Sequence, residues 1–543
     1  MYVTIGIIVV IAASTVLLLN NTHTAPINSV EESRKASIEK FQTTFCGLNS
    51  EVNSDEYISE YKLPKTCEMP LGIAVDDGKV WYVSTENGTL GAYNIRQNTF
   101  AREVPIPVWK SRLNHLDFSQ VWALKPDGKG NIWFTDEKQN AVWKYIESSQ
   151  TFEMYKVPAK SKAFDTTYPV SIDFDLNGNI YFVGIRSTSL WFGDVIKMRN
   201  GTSDGISAIP MPIDKFSAID PALISTGSVA VDNHRNVVWI SMLAFQKKGE
   251  ILRYDVGTKT FKIFDMPAEL ASPVGLVVDA SGNLWVTDHG TSIFYKLDAS
   301  TGNITKFVTS KASPRIFGIG NGNSNVNISA PIGAYTLPYW IEKSTDGSLW
   351  FNEHTGNKIA KFDPVNNTLV EYWIPTQNKL FGMCQNNNDI SISNNQKCGI
   401  ANALQFSVGQ NKDDSNQVWF TEWTENKIGK VNTQKQLPFW VSIPIKEVAV
   451  KRGESLDLKV NIGTSTNQKI HMIAAGSFTP TGDLGNSTGS FSAESFSLNA
   501  GNPKQVSFIF TPSSDLKTGG YMLMIGAEND AVSYLKAVRI NII

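Results

Sequence analysis

Short runs of alternating apolar and polar positions, four to a unit, recur along most of this chain and are punctuated by Gly, Asn and Asp. Period-two alternation bounded by turn residues predicts antiparallel strands. One unit reads Pro-x-Gly-Ile-x-x-Asp, Asp-Gly, x-Leu-Trp-Phe-Thr-Glu, a Gly/Asn turn, Lys-Ile-x-Lys-x-Asp, then Glu-Tyr-x-x-Pro. Seven copies begin at Pro70, Val121, Pro169, Gly227, Pro273, Pro338 and Asn402. Four-stranded sheets cannot bury both faces alone, so their radial repetition predicts a seven-bladed β-propeller over residues 69–444. The recurrent Trp81, Trp133, Trp239, Trp285, Trp350 and Trp419 are expected to pack between blades.

A ring also needs closing. Glu60-Tyr-Lys-Leu-Pro64, inside a spacer at 26–68, matches the fourth strand of other units (compare Glu371-Tyr-Trp-Ile-Pro375), which makes 57–64 a candidate outer strand for the last blade. Pro438-Phe-Trp-Val-Ser-Ile-Pro444 competes for the same slot. Beyond it the Trp repeat stops, and the short strands of 445–543 suit a β-sandwich of immunoglobulin type. The fold class is therefore all-β: a propeller followed by an Ig-like sandwich.

The amino terminus departs from this pattern. Tyr2 to Leu19 is uncharged, about the minimum length for spanning a bilayer, which predicts a transmembrane helix within 1–25. A cleaved signal is the rival reading; it lacks a basic residue before Arg34, and Pro26 follows the Thr24-Ala25 site. Either reading places the bulk of the chain outside the cytoplasm, the first as a single-pass protein of the cell membrane. Four cysteines in two local pairs, Cys46 with Cys67 and Cys384 with Cys398, suit disulfides in an oxidising compartment. Forty-nine basic and 51 acidic residues give a net charge of −2, which offers no footprint for nucleic acid.

Candidate chemistry clusters on one face. Long insertions at 108–120, 159–167, 213–226, 309–336 and 376–400 fall on the side where first strands start and second strands end. Extended loops on a rigid scaffold suggest a binding surface for a small molecule, a glycan or an envelope protein. Three positions after the second-strand aromatic an acid recurs: Asp136, Asp288, Glu353 and Glu422. These carboxylates could hold Mg²⁺ or Ca²⁺, or accept hydrogen bonds within each blade. His289 and His354 each follow one of them.

At Trp419-Phe-Thr-Glu-Trp-Thr-Glu-Asn-Lys-Ile-Gly-Lys430 and Trp350-Phe-Asn-Glu-His-Thr-Gly-Asn-Lys-Ile-Ala-Lys361, the chain resembles the streptogramin B (virginiamycin B) lyase family. The resemblance implies a seven-bladed propeller and, as an alternative to a binding protein, a metal-dependent lyase or lactone hydrolase. The family's enzymes open a cyclic depsipeptide by elimination with magnesium and a His base, the second residue of Pro-His-Gly-Ile. That position here holds Leu71, Trp122, Val170, Gly227, Val274, Tyr339 and Asn402, none of them His. The resemblance therefore carries the fold without a catalytic residue. The expected ligand site consists of Trp122, Tyr339, Asn402, His354 and His289.

Overall fold

The computed structural model describes residues 51–109, 120–158, 167–199 without 186, 201–216, 225–243, 249–310 without 268 and 271, 335–378, 399–475, 484 and 486–543, with isolated positions between 32 and 47. The apolar run Tyr2 to Leu19, the Cys384/Cys398 pair and most of the long insertions lie outside the described residues. Among those described, no helix is long and apolar enough to cross a membrane. The chain divides into two compact units, one of 1–52, 60–274 and 404–429, the other of 53–59, 275–403 and 430–543.

Each sequence repeat folds as one antiparallel sheet with its strands in chain order. In the second repeat these are Leu124–Pro126, Asn131–Asp136, Ala141–Ile146 and Thr151–Lys156. Second strands such as Leu349–Glu353 and Val418–Glu422 are buried at every position, because both faces of the sheet are covered. Outer strands such as Thr151–Lys156 keep exposed ends and read as polar–apolar alternation. Within each unit, consecutive sheets stack face to face, as the blades of a β-propeller do. The repeated Trp makes part of that stacking. Trp133 meets Phe174 of the following sheet at 6.1 Å between ring centres, and Trp285 meets Phe362 at 5.4 Å.

The residue two positions after the second-strand Trp ties neighbouring sheets together. Ser241 Oγ accepts the Ser228 N–H of its own first strand at 2.8 Å and donates to the Val274 carbonyl of the next at 2.7 Å. Thr287 does the same between Gly275 and the Tyr339 carbonyl, and Asn352 between Trp340 and the Ala403 carbonyl. The first strand slips register at this point, between Pro338 and Ile341 for example, which frees the amide that the side chain takes up.

The last repeat supplies three strands, Phe406–Val408, Val418–Glu422 and Lys427–Val431; the fourth is Ile58–Lys62 from the amino-terminal end. The competing segment goes elsewhere: Phe439–Ser442 pairs with Leu456–Thr464. The carboxy-terminal module thus takes in residues before 445, because the alternating face of Phe439 and Val441 joins its core.

That module is a two-sheet sandwich. Phe439–Ser442, Leu456–Thr464, Lys504–Thr511 and Thr488–Phe491 form one sheet. The other contains Gln468–Ala475, Gly519–Glu528 and Val532–Ile542, and continues the sheet of the sixth repeat through pairing of Thr368–Trp373 with Val532–Ile542. Leu458, Val460, Phe508, Ile525 and Val538 fill the space between the sheets.

Candidate functional site

Four of the five residues expected to bind ligand come together in the second unit. His289 and His354 leave the ends of second strands Leu284–Asp288 and Leu349–Glu353, while Tyr339 begins a first strand, Pro338–Lys343. The two imidazoles lie parallel, 9° apart, with His289 Nε2 3.3 Å from His354 Nδ1. His354 Nε2 stands 3.3 Å from Asn402 Oδ1, so the pair is anchored at one end by an amide acceptor. That contact requires the N–H to be on Nε2 of His354, which leaves its Nδ1 to accept from His289. Tyr339 covers the His289 ring at 4.2 Å between centres. Asn402 is placed by a left-handed backbone, φ 52°, a conformation that Asn tolerates better than most residues.

All four side chains are nearly closed off, with between 5 and 9% of their surface accessible. Burial lowers the pKa of His354 to about 4, against a smaller opposing effect of Asn402. His289 is pushed well below the ordinary histidine range by burial and by His354. Burial raises the Tyr339 phenol. The cluster is therefore uncharged at neutral pH. Trp122, the fifth candidate, lies in the first unit, where its carbonyl accepts from Gln405 Nε2.

The four recurrent carboxylates are all fully buried, in two kinds of setting. Asp136 accepts indole N–H bonds from Trp109 at 2.6 Å and Trp143 at 3.0 Å, together with the Gln139 amide. Asp288 accepts from the Gly290 amide and the Thr291 hydroxyl of its own turn. Glu353 and Glu422 instead face lysines that the sequence reading did not single out. Lys358 Nζ is 3.2 Å from Glu353 and 3.3 Å from Glu371. Lys427 Nζ is 2.8 Å from Glu60 and 3.5 Å from Glu422. Burial holds Glu353 and Glu422 well above the usual carboxylate range despite the adjacent ammonium. One ammonium thus serves two carboxylates in each triad, and the protonated form of one acid relieves their repulsion. The signal for these partners was present in the repeat, in Lys-Ile-x-Lys and Glu-Tyr at fixed offsets from the acid. Among the described residues, no three His, Cys, Asp or Glu side chains are grouped to hold a metal ion.

No protein-family model matches this chain, and no curated protein matches it. Solved structures similar to it include virginiamycin B lyase from Staphylococcus aureus, at 19% identity and a TM-score of 0.47, covering 69% of this chain and 98% of the lyase. A streptogramin B lyase structure aligns at 21% identity and a TM-score of 0.47, over 70% of this chain and 99% of that one. The extracellular domain of a one-component system from B. thetaiotaomicron aligns at 12% identity and a TM-score of 0.42, over 92% of this chain and 59% of that one.

Proposed function

We propose that this chain is a membrane-anchored, extracytoplasmic binding protein: a seven-bladed propeller with an Ig-like carboxy-terminal module, taking a ligand at the cluster of His289, Tyr339, His354 and Asn402. The observation that carries this reading is the convergence of residues from two strand ends, one strand start and the segment before Phe406–Val408 into one aromatic, uncharged, hydrogen-bonded group. Such a group offers stacking faces and a few oriented polar atoms, the usual makings of a small-molecule site. Binding is favoured over elimination chemistry by the same geometry. A base working at neutral pH needs a pKa near that pH, and these imidazoles are held too low to take a proton strongly. The seven positions that would carry the lyase-type base hold no His.

The test uses quinupristin as the probe, first for turnover with magnesium and then for binding by calorimetry or thermal shift. The expected result is no ring opening. Any heat of binding should fall on Tyr339→Ala and Asn402→Ala. Robust opening of the depsipeptide would overturn the binding reading, and affinity unchanged by both substitutions would move the site elsewhere.

A further inference from the structure

In four repeats the second-strand Trp is covered by an aromatic ring from the outer strand of its own sheet. Tyr155 lies on Trp133, Phe264 on Trp239, Phe307 on Trp285 and Tyr372 on Trp350, with ring centres 5.5 to 6.0 Å apart. These rings share one register position. Each stands opposite the third-strand residue that comes two before the one facing the Trp. The residue facing the Trp is a cation in all four: Lys144, Arg253, Lys296 and Lys361.

The first repeat departs from both patterns. Ala92 faces Trp81, and the outer-strand position, opposite Leu90, holds Val104. The outer strand is also bulged: it advances four residues from Phe100 to Val104 while its partner moves three, from Tyr93 to Leu90. Loss of a ring and of a long side chain leaves space beside Trp81. A cleft of about 480 Å³ lies there, lined by Trp81, Ala92, Val104 and Tyr145 and contained wholly in the first unit. Tyr145, from the next sheet, keeps its contact with Trp81 at 5.7 Å between ring centres. Trp81 retains 5% of its surface, against 0 to 2% for Trp133, Trp239, Trp285, Trp350 and Trp419. The volume is that of a small-molecule site.

The charges around the cleft are unevenly committed. Lys79 Nζ stands 5.6 Å from the centre of the Trp81 ring and pairs with Glu147. Glu103 accepts from the Lys65 ammonium at 2.6 Å and from the Thr89 hydroxyl at 2.7 Å. Arg102 also lines the cleft, is exposed, and has no hydrogen bond or ion pair among the described residues.

We infer that this cleft binds a small aromatic acid, whose ring lies on Trp81 in the place left by Val104 and whose carboxylate meets Arg102. Stacking supplies affinity, and the guanidinium fork selects the carboxylate. A cationic ring would find both acids of the cleft already engaged and Arg102 opposed to it. The inference is independent of the histidine cluster.

The full-length protein is titrated with 2-naphthoate, with the saturated decahydro-2-naphthoate and with 2-naphthylmethylamine, each followed by ligand-observed NMR. The naphthoate should bind with a Kd of about 1 mM or tighter. The saturated acid should bind about fivefold more weakly for want of a π-face, and the amine about tenfold or more. Val104→Phe restores the ring of the other repeats; it should abolish binding while leaving the thermal unfolding midpoint unchanged or raised. Arg102→Gln should weaken binding about tenfold. Absence of naphthoate binding in this range, equal binding of the saturated acid or the amine, or affinity that survives Val104→Phe or Arg102→Gln would each overturn the inference. So would affinity lost on Tyr339→Ala instead, which would place the naphthoate at the histidine cluster. The ligand series needs no substitution, so it decides the matter even if Val104→Phe fails to fold.

Discussion

The sheets of the sixth and last repeats contain the same buried triad, Glu–Lys–Glu, assembled in two different ways. In the sixth, Glu353, Lys358 and Glu371 come from consecutive strands of one sheet. Its outer strand, Thr368–Trp373, is covered in turn by Val532–Ile542. In the last, Glu422 and Lys427 come from the repeat itself while Glu60 arrives from the opposite end of the sequence. The imported strand therefore reproduces the interior of a blade as well as its hydrogen bonding. It lacks chain continuity, and other contacts hold it. Asn426 accepts the Glu68 amide at 2.7 Å and donates to the Lys65 carbonyl at 2.7 Å, while the Leu63 amide reaches the Asn426 carbonyl. The Cys46–Cys67 disulfide encloses the strand in a loop. Gly47, at φ 56°, passes so close to the Glu425 backbone that a Cβ would lie 2.4 Å from it.

The comparison is broken most severely at the lysines. Lys358→Met and Lys427→Met each leave two acids without their cation in a fully buried site. A loss of roughly 3–5 kcal/mol is expected from denaturant unfolding. Only Lys427→Met should also speed hydrogen exchange at Ile58–Lys62. The matching strand, Thr368–Trp373, is hydrogen-bonded on both edges and should stay protected in Lys358→Met. Equal protection of Ile58–Lys62 in both variants would mean that the imported strand does not depend on the triad.

Replacing Cys46 and Cys67 by Ser should cost roughly 3 kcal/mol, as expected for opening a loop of this length. Exchange in this variant should rise at Ile58–Lys62 and remain unchanged in the sixth sheet.

pH separates the triads from the imidazole pair by sign. His354 has a native pKa of about 4 and an unfolded value near 6.5, so the unfolded chain binds more protons between them. Its contribution is intact above about pH 6.5 and is lost as pH falls toward about 4, by roughly 3 kcal/mol. The stability difference between the native chain and His354→Gln should shrink by that amount over the same window. A flat difference would show that the ring is not buried in its neutral form.

The smallest effect is expected from Glu353→Gln and Glu422→Gln. Both acids have raised pKa values, so their contribution is present at acid pH and is lost as pH rises from the unfolded value through the native one. Glutamine imitates the protonated form, so near neutral pH the cost should be below about 1 kcal/mol. The variants should gain on the native chain as pH rises above the ordinary carboxylate range, as measured by thermal unfolding. A large loss on Glu353→Gln alone would show that the two triads carry their protons differently.

The sequence by itself determined the repeating unit, its strands and the sheet each repeat forms, because alternation and turn residues act over a few positions. It also contained the resemblance between Glu60-Tyr61 and Glu371-Tyr372, and the pairing of Cys46 with Cys67. Only the tertiary structure decided between Glu60–Pro64 and Pro438–Pro444. Both read as the same amphipathic strand; in the structure the first brings Glu60 to Lys427, while Phe439–Ser442 joins the carboxy-terminal sandwich. Likewise, the four recurrent acids look alike in sequence. Their settings diverged because Asp136 met two indoles, Asp288 its own turn, and Glu353 and Glu422 a lysine. His289 and His354 read as separate loop residues, and became one hydrogen-bonded pair only when stacking of adjacent sheets brought the ends of two second strands together.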